Sequence, residues 1–126
     1  MTIAAIIAVV LLGILIVFQL ALAAGAPLGF AAWGGRSPGV LPTGLRVASA
    51  FVGLVLYPTF AAVILAAAGL IGDAWLPFEP RTLMWAFAAF FGLGVIANAA
   101  SRSPQERIWS PVSGVLAVCC AVIASG

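Results

Sequence analysis

Four long stretches of this chain, about Thr2–Ala24, Val47–Ile71, Thr82–Ala100 and Ile108–Ser125, contain no Asp, Glu, Lys or Arg. That single feature constrains the fold more than any motif. A helix needs about 20 mostly apolar residues to cross roughly 30 Å of hydrocarbon, and each stretch meets or approaches that length. In hydrocarbon every backbone N–H and C=O must be bonded within the protein, so unbroken apolar runs of this length must be helices. A membrane β-barrel would instead alternate apolar and polar residues along each segment, and no such alternation is present. The expected fold is an all-α membrane protein, a single four-transmembrane-helix bundle over residues 1–126 with both termini on the same, non-cytoplasmic side.

Composition narrows the function classes. Of the 126 residues, 65% are apolar and 6% are charged, against about 45–50% and about 25% in soluble domains. An ordinary soluble domain, a disordered chain and a nucleic-acid-binding protein are all excluded on this balance. The first run carries Ala21-Leu22-Ala23, which looks like a signal-peptidase site. No Lys or Arg precedes it, however, and it is longer than a signal h-region, so a true span is expected.

With four spans, the connections after the first and third lie on one side of the membrane. They carry Arg36, Arg46, Arg102 and Arg107, whereas the opposite side carries only Arg81, beside Asp73 and Glu79. Short loops richer in Arg and Lys stay cytoplasmic, so these two connections are expected in the cytoplasm and both termini outside. The first connection, about Gly25–Leu45, is rich in Gly and Pro and long for a structureless loop. Such loops are usually functional or folded onto a surface. Arg36-Ser37-Pro38 and Arg102-Ser103-Pro104 occupy equivalent connections, but a three-residue match between loops of unequal length does not establish a duplication.

Inside the bilayer helices associate through small residues. Ser49 and Gly53, Ala88 and Gly92, and Ser113, Ala117 and Ala121 offer such ridges. Pro58 falls mid-span, where it removes a helix hydrogen bond and leaves two readings: a tolerated kink, or a hinge or cavity edge. The chain has no His, and no Asp, Glu, Lys or Arg lies within a span, which argues against a proton relay. The small multidrug transporters have this size and span number, but they need a Glu in the first span, and none is there. Adjacent Cys119 and Cys120 read as small buried apolar side chains. No catalytic group, metal site or cofactor is expected.

The polar features gather on one face. Gln19 and Asn98 end the first and third spans there and, with Tyr57, are candidates for lining a pore or cavity. Near them stand Trp33, Arg36, Arg46, Arg102, Glu106, Arg107 and Trp109. Arginine grips phosphate or carboxylate with paired hydrogen bonds, and basic pockets on the cytoplasmic face hold anionic lipid headgroups. The plainer reading is that the arginines set orientation, the two tryptophans anchor the interface, and Glu106 pairs with Arg102 four residues away.

The loop segments GAPLG (Gly25–Gly29), AWGG (Ala32–Gly35), PGVLP (Pro38–Pro42) and ERIWSP (Glu106–Pro111) resemble those of small four-span membrane proteins of uncharacterised function from high-GC bacteria such as actinobacteria. The resemblance implies a class and a location, the bacterial inner membrane, and no reaction. A non-catalytic binding or accessory protein is therefore expected, with membrane lipids, further copies of itself or a larger membrane complex as partners. The alternative is a small oligomeric transporter or channel.

Overall fold

A computed structural model describes residues 1–101 and 103–126. Among them there is no strand, and four helices are long and apolar enough to cross a membrane: α1 (Thr2–Ala23), α2 (Thr43–Ala67), α3 (Pro80–Ala99) and α4 (Glu106–Ser125, opening with one 3₁₀ turn). Packing places them in the cyclic order α2, α1, α4, α3, with α3 and α4 paired most extensively. Met1 and Gly126 meet at the end where α2 finishes and α3 begins, beside Ala67 and Glu79. The two arginine-bearing connections cover the opposite end.

The helix ends follow from local chemistry. At the end of α1, Gly25 adopts φ +101°, its N–H reaches the Leu22 carbonyl at 3.1 Å and the Ala26 N–H reaches Ala21 at 2.9 Å. At the end of α2, Gly69 adopts φ +77°, with Gly69 N–H on Ala66 at 3.0 Å and Leu70 N–H on Leu65 at 2.9 Å. Both are Schellman turns, which need a left-handed residue that glycine supplies without a Cβ penalty. The second corrects the expected boundary. Hydropathy runs on through Leu70 and Ile71, but the backbone has already turned at Gly69. The start of α2 also moves, to Thr43, because Pro42 holds extended backbone and the helix begins directly after it, so Arg46 lies within α2.

Pro58 follows a widened turn of α2. The turn before it, Val52–Leu56, is widened to a π-helix, and the Tyr57 N–H bonds the Val52 carbonyl. Proline lacks the N–H and its ring clashes with the carbonyl four residues back, and a wider turn accommodates both. The Thr59 hydroxyl donates to the Val55 carbonyl at 2.6 Å.

Of the expected small-residue ridges, the close approaches fall at selected members. A Cβ at Gly53 would stand 3.0 Å from Leu20 Cδ2, so this glycine sets the α1–α2 approach. On α3 the close glycine is Gly94, whose Cβ would meet Ser113 Oγ at 3.1 Å, whereas Gly92 faces open space. The core at the terminal end and mid-depth holds Ala8, Leu12, Ile64, Met84, Phe91 and Leu116, with both cysteines buried in it.

Candidate functional site

The first connection is folded, not slack. It makes two 3₁₀ turns, Gly29–Ala31 and Trp33–Gly35, and buries Leu41 and Ala32 against Leu22 of α1. The loop segments noted in the sequence interlock. The Gly29 N–H bonds the Gly39 carbonyl at 2.9 Å, and a Cβ at Gly29 would run into the Ser37 and Gly39 carbonyls. Gly34 and Gly35 take φ +82° and +71°, and a Cβ on Gly35 would collide with Ser103, so the first and third connections touch backbone to side chain there.

Glu106 ties the two together. It is 8% exposed, its Oε1 accepts from the Gly34 N–H at 3.3 Å and its Oε2 from the Ser101 hydroxyl at 3.0 Å. The Ser103 N–H bonds Ser101 Oγ, and the Glu106 N–H bonds Ser103 Oγ, both at 3.2 Å. Neither Ser101 nor Ser103 was singled out in the sequence, because a serine in a polar loop carries no signal until the fold buries it. Arg102, the expected partner of Glu106, lies outside the described residues.

The tryptophans face inward with their polar edges. Trp109 Nε1 donates to the Ala31 carbonyl at 3.0 Å, and its ring stands 4.9 Å from that of Phe18. Trp33 Nε1 donates to the buried Ser49 hydroxyl at 2.9 Å. Trp33 also adopts φ +51°, a left-handed conformation that costs a bulky residue energy and is held only where surrounding contacts impose it. Both indoles thus fasten the first connection onto the bundle.

The arginines are placed at helix ends. Arg46 Nε donates to the Ala23 carbonyl at the end of α1, and Arg107 Nε to the Ser101 carbonyl just beyond α3, each at 3.1 Å. Helix C-termini leave carbonyls without partners and carry partial negative charge, so a guanidinium is well matched to both. Arg36 is exposed on the first connection.

Beneath this cap lies a cavity of about 540 Å³. The three residues proposed from sequence as pore or cavity lining, Gln19, Tyr57 and Asn98, share it, and Trp33, Glu106 and Trp109 border it as well. Arg36, Arg46 and Arg107 do not. Sequence reasoning did not single out Phe90, Phe91, Leu93 or Gly94 as lining, since nothing in an apolar span marks which face meets a void. Phe90 and Leu93 are 46% and 67% exposed on the outer surface of the bundle. The wall they form between α2 and α3 is therefore a lateral one, on the outward side of the bundle. Asn98 Nδ2 bonds the Gly94 carbonyl at 2.8 Å, whereas the Gln19 side chain has no hydrogen-bond partner among the described residues and its Oε1 is sealed from solvent. Below the cavity the packed core closes the bundle axis. Comparison with protein-family models, with curated proteins and with solved structures finds no match to this chain.

Proposed function

We propose that this chain is a non-catalytic binding protein of the bacterial cytoplasmic membrane. It takes an amphipathic molecule from the surrounding lipid into the cavity between α2 and α3. The observation that carries the reading is the cavity itself: about 540 Å³, walled laterally by outward-exposed Phe90 and Leu93 and holding the unbonded amide of Gln19. Ligand pockets commonly fall between about 300 and 1,000 Å³, mostly apolar with a few placed polar groups, and this one has that character. At roughly 30 Å³ per water-sized unit it has room for one chain or ring system. The core beneath it weighs against a pore along the axis of a single bundle. In this reading the arginine-rich connections lie in the cytoplasm and both termini outside, so the cavity opens within the cytoplasmic leaflet.

The test is extraction in mild detergent followed by native mass spectrometry and lipid analysis. A retained small amphiphile is expected on the wild-type chain, and it should be lost from Ala97→Trp, which fills the cavity from α3. Equal retention by both, or by neither, overturns the reading. A fusion reporter placing Arg36 outside the cell would overturn the orientation.

A further inference from the structure

We propose that the occupant of this cavity has an uncharged polar end bearing a hydroxyl group, as in a glyceride or long-chain alcohol, and that Gln19 recognises it. The inference rests on the binding reading above and deepens it.

The argument is an inventory of polar groups in the wall. Trp33 and Trp109 have already spent their indole N–H groups on Ser49 and Ala31. Both carboxyl oxygens of Glu106 already accept, from Gly34 and Ser101. Asn98 has committed one amide hydrogen to Gly94. What is left to meet a ligand among the described residues is neutral: the hydroxyls of Tyr57 and Ser113 and the carboxamide of Gln19, of which the Gln19 Oε1 is the one buried atom without a partner. A carboxamide offers two donors and one acceptor, and whichever way the amide is turned it lacks partners here. A hydroxyl donates and accepts through one atom, so it satisfies either orientation.

Charge points the same way. None of Arg36, Arg46 and Arg107 lines the cavity, and the acid that does, Glu106, already accepts one hydrogen bond at each oxygen. An anionic headgroup placed beside Gln19 would thus lie near an acidic side chain, with none of these three guanidinium groups in the wall to offset its desolvation. Six aromatic rings, Phe18, Trp33, Tyr57, Phe90, Phe91 and Trp109, supply the apolar remainder of the wall.

Trp33 and Trp109 at the wall provide the assay. In a chain carrying Trp75→Phe and Trp85→Phe, fluorescence quenching is titrated with three brominated probes of equal chain length: a monoacylglycerol, a fatty acid at neutral pH, and an alkane. Saturable quenching by the monoacylglycerol is expected at about tenfold lower concentration than by the fatty acid, the net contribution of one hydrogen bond and an avoided charge burial. Gln19→Leu should weaken monoacylglycerol binding by about tenfold, leave alkane quenching unchanged, and raise the thermal stability of the unliganded protein, because it removes an unbonded buried oxygen. Equal or tighter binding of the fatty acid, or unchanged monoacylglycerol affinity in Gln19→Leu, overturns the hydroxyl inference while the binding reading stands. Absence of saturable quenching by all three probes overturns the binding reading itself.

Discussion

Replacing Glu106 with alanine tests whether the two cytoplasmic connections in the proposed orientation are held by that one side chain. The variant leaves the Gly34 N–H and the Ser101 hydroxyl without acceptors, the latter on a residue only 6% exposed. A buried donor stripped of its partner costs about 1–3 kcal/mol, and the 3.3 Å bond to half-exposed Gly34 belongs at the low end of that range. The expected loss is therefore about 2–4 kcal/mol. Glu106→Gln keeps one acceptor and should lose roughly half as much. The assay is reversible unfolding in mixed detergent micelles, followed by tryptophan emission, since Trp33 and Trp109 both sit on the segments that Glu106 joins. Ser101→Ala should cost less in the Glu106→Ala background than alone, keeping only the loss of the acceptor for the Ser103 N–H, which gives a coupling of about 1 kcal/mol between the two sites. Stability of Glu106→Ala within about 0.5 kcal/mol of wild type, or strict additivity with Ser101→Ala, would refute the argument that the bonds are structural.

Two further outcomes follow from packing and from charge. Gly53→Val should destabilise the bundle by about 1–3 kcal/mol, because even a Cβ there meets Leu20 at 3.0 Å, whereas Gly92→Ala, on a face with open space, should show no packing clash and no loss in the same unfolding assay. Glu79 caps α3 by accepting from the Thr82 and Arg81 backbone N–H groups at 2.9 and 3.1 Å. Those two bonds, Thr82 first, hold its carboxyl below its ordinary pKa of 4.5. A lowered folded pKa means the cap's contribution is fully present above the ordinary glutamate range and is lost as pH falls through the folded value. Wild type and Glu79→Ala should therefore differ in stability by a constant amount near neutrality and converge as the pH falls through the lowered folded value. A difference that grows on acidification would refute the cap.

The sequence made the four helices legible because charge is absent from them and hydropathy is continuous. It made the helix ends less legible, for a reason visible at α2. Leu70 and Ile71 are as apolar as the span before them, and only the φ of Gly69, which composition does not encode, ends the helix earlier. The polar residues at one face were legible too: Gln19, Tyr57 and Asn98 stand out in apolar spans simply by being polar, and they border one cavity. What each does was not legible. The arginines looked like a ligand surface, yet the Nε groups of Arg46 and Arg107 are on backbone carbonyls, a partnership fixed by where two helices end and by nothing in the spacing of the arginines. The buried roles of Ser49, Ser101 and Ser103 depend on contacts made across 2 to 16 residues, and for Ser103 on its packing against Gly35.

The cavity has a cause in side-chain size. α2 and α3 are the neighbours in the bundle that meet through one half of their length, Tyr57–Ala67 against α3. At mid-depth Phe60 packs on Phe87, Phe90 and Phe91 with ring centroids 4.5, 5.4 and 5.9 Å apart. Four large rings set the separation of the two helices at that level. Toward the arginine-rich end α3 lines the cavity with the small residues Gly94 and Ala97 beside Leu93 and Asn98, while α2 widens into its π turn. Small side chains cannot span a gap that phenyl rings have set, and protein interiors otherwise pack to the density of organic crystals. Ordinary close packing would have put a larger residue at position 97, whereas position 94 is held to glycine by its approach to Ser113. The first connection and the start of α4 then roof the space, with Ala31, Ala32 and Trp33 from one and Glu106 and Trp109 from the other. A void that is propped from below and roofed by interlocking glycine turns is maintained at the expense of packing contacts. Its upkeep, together with an amide left unbonded inside it, is the physical ground for reading it as a place where something binds.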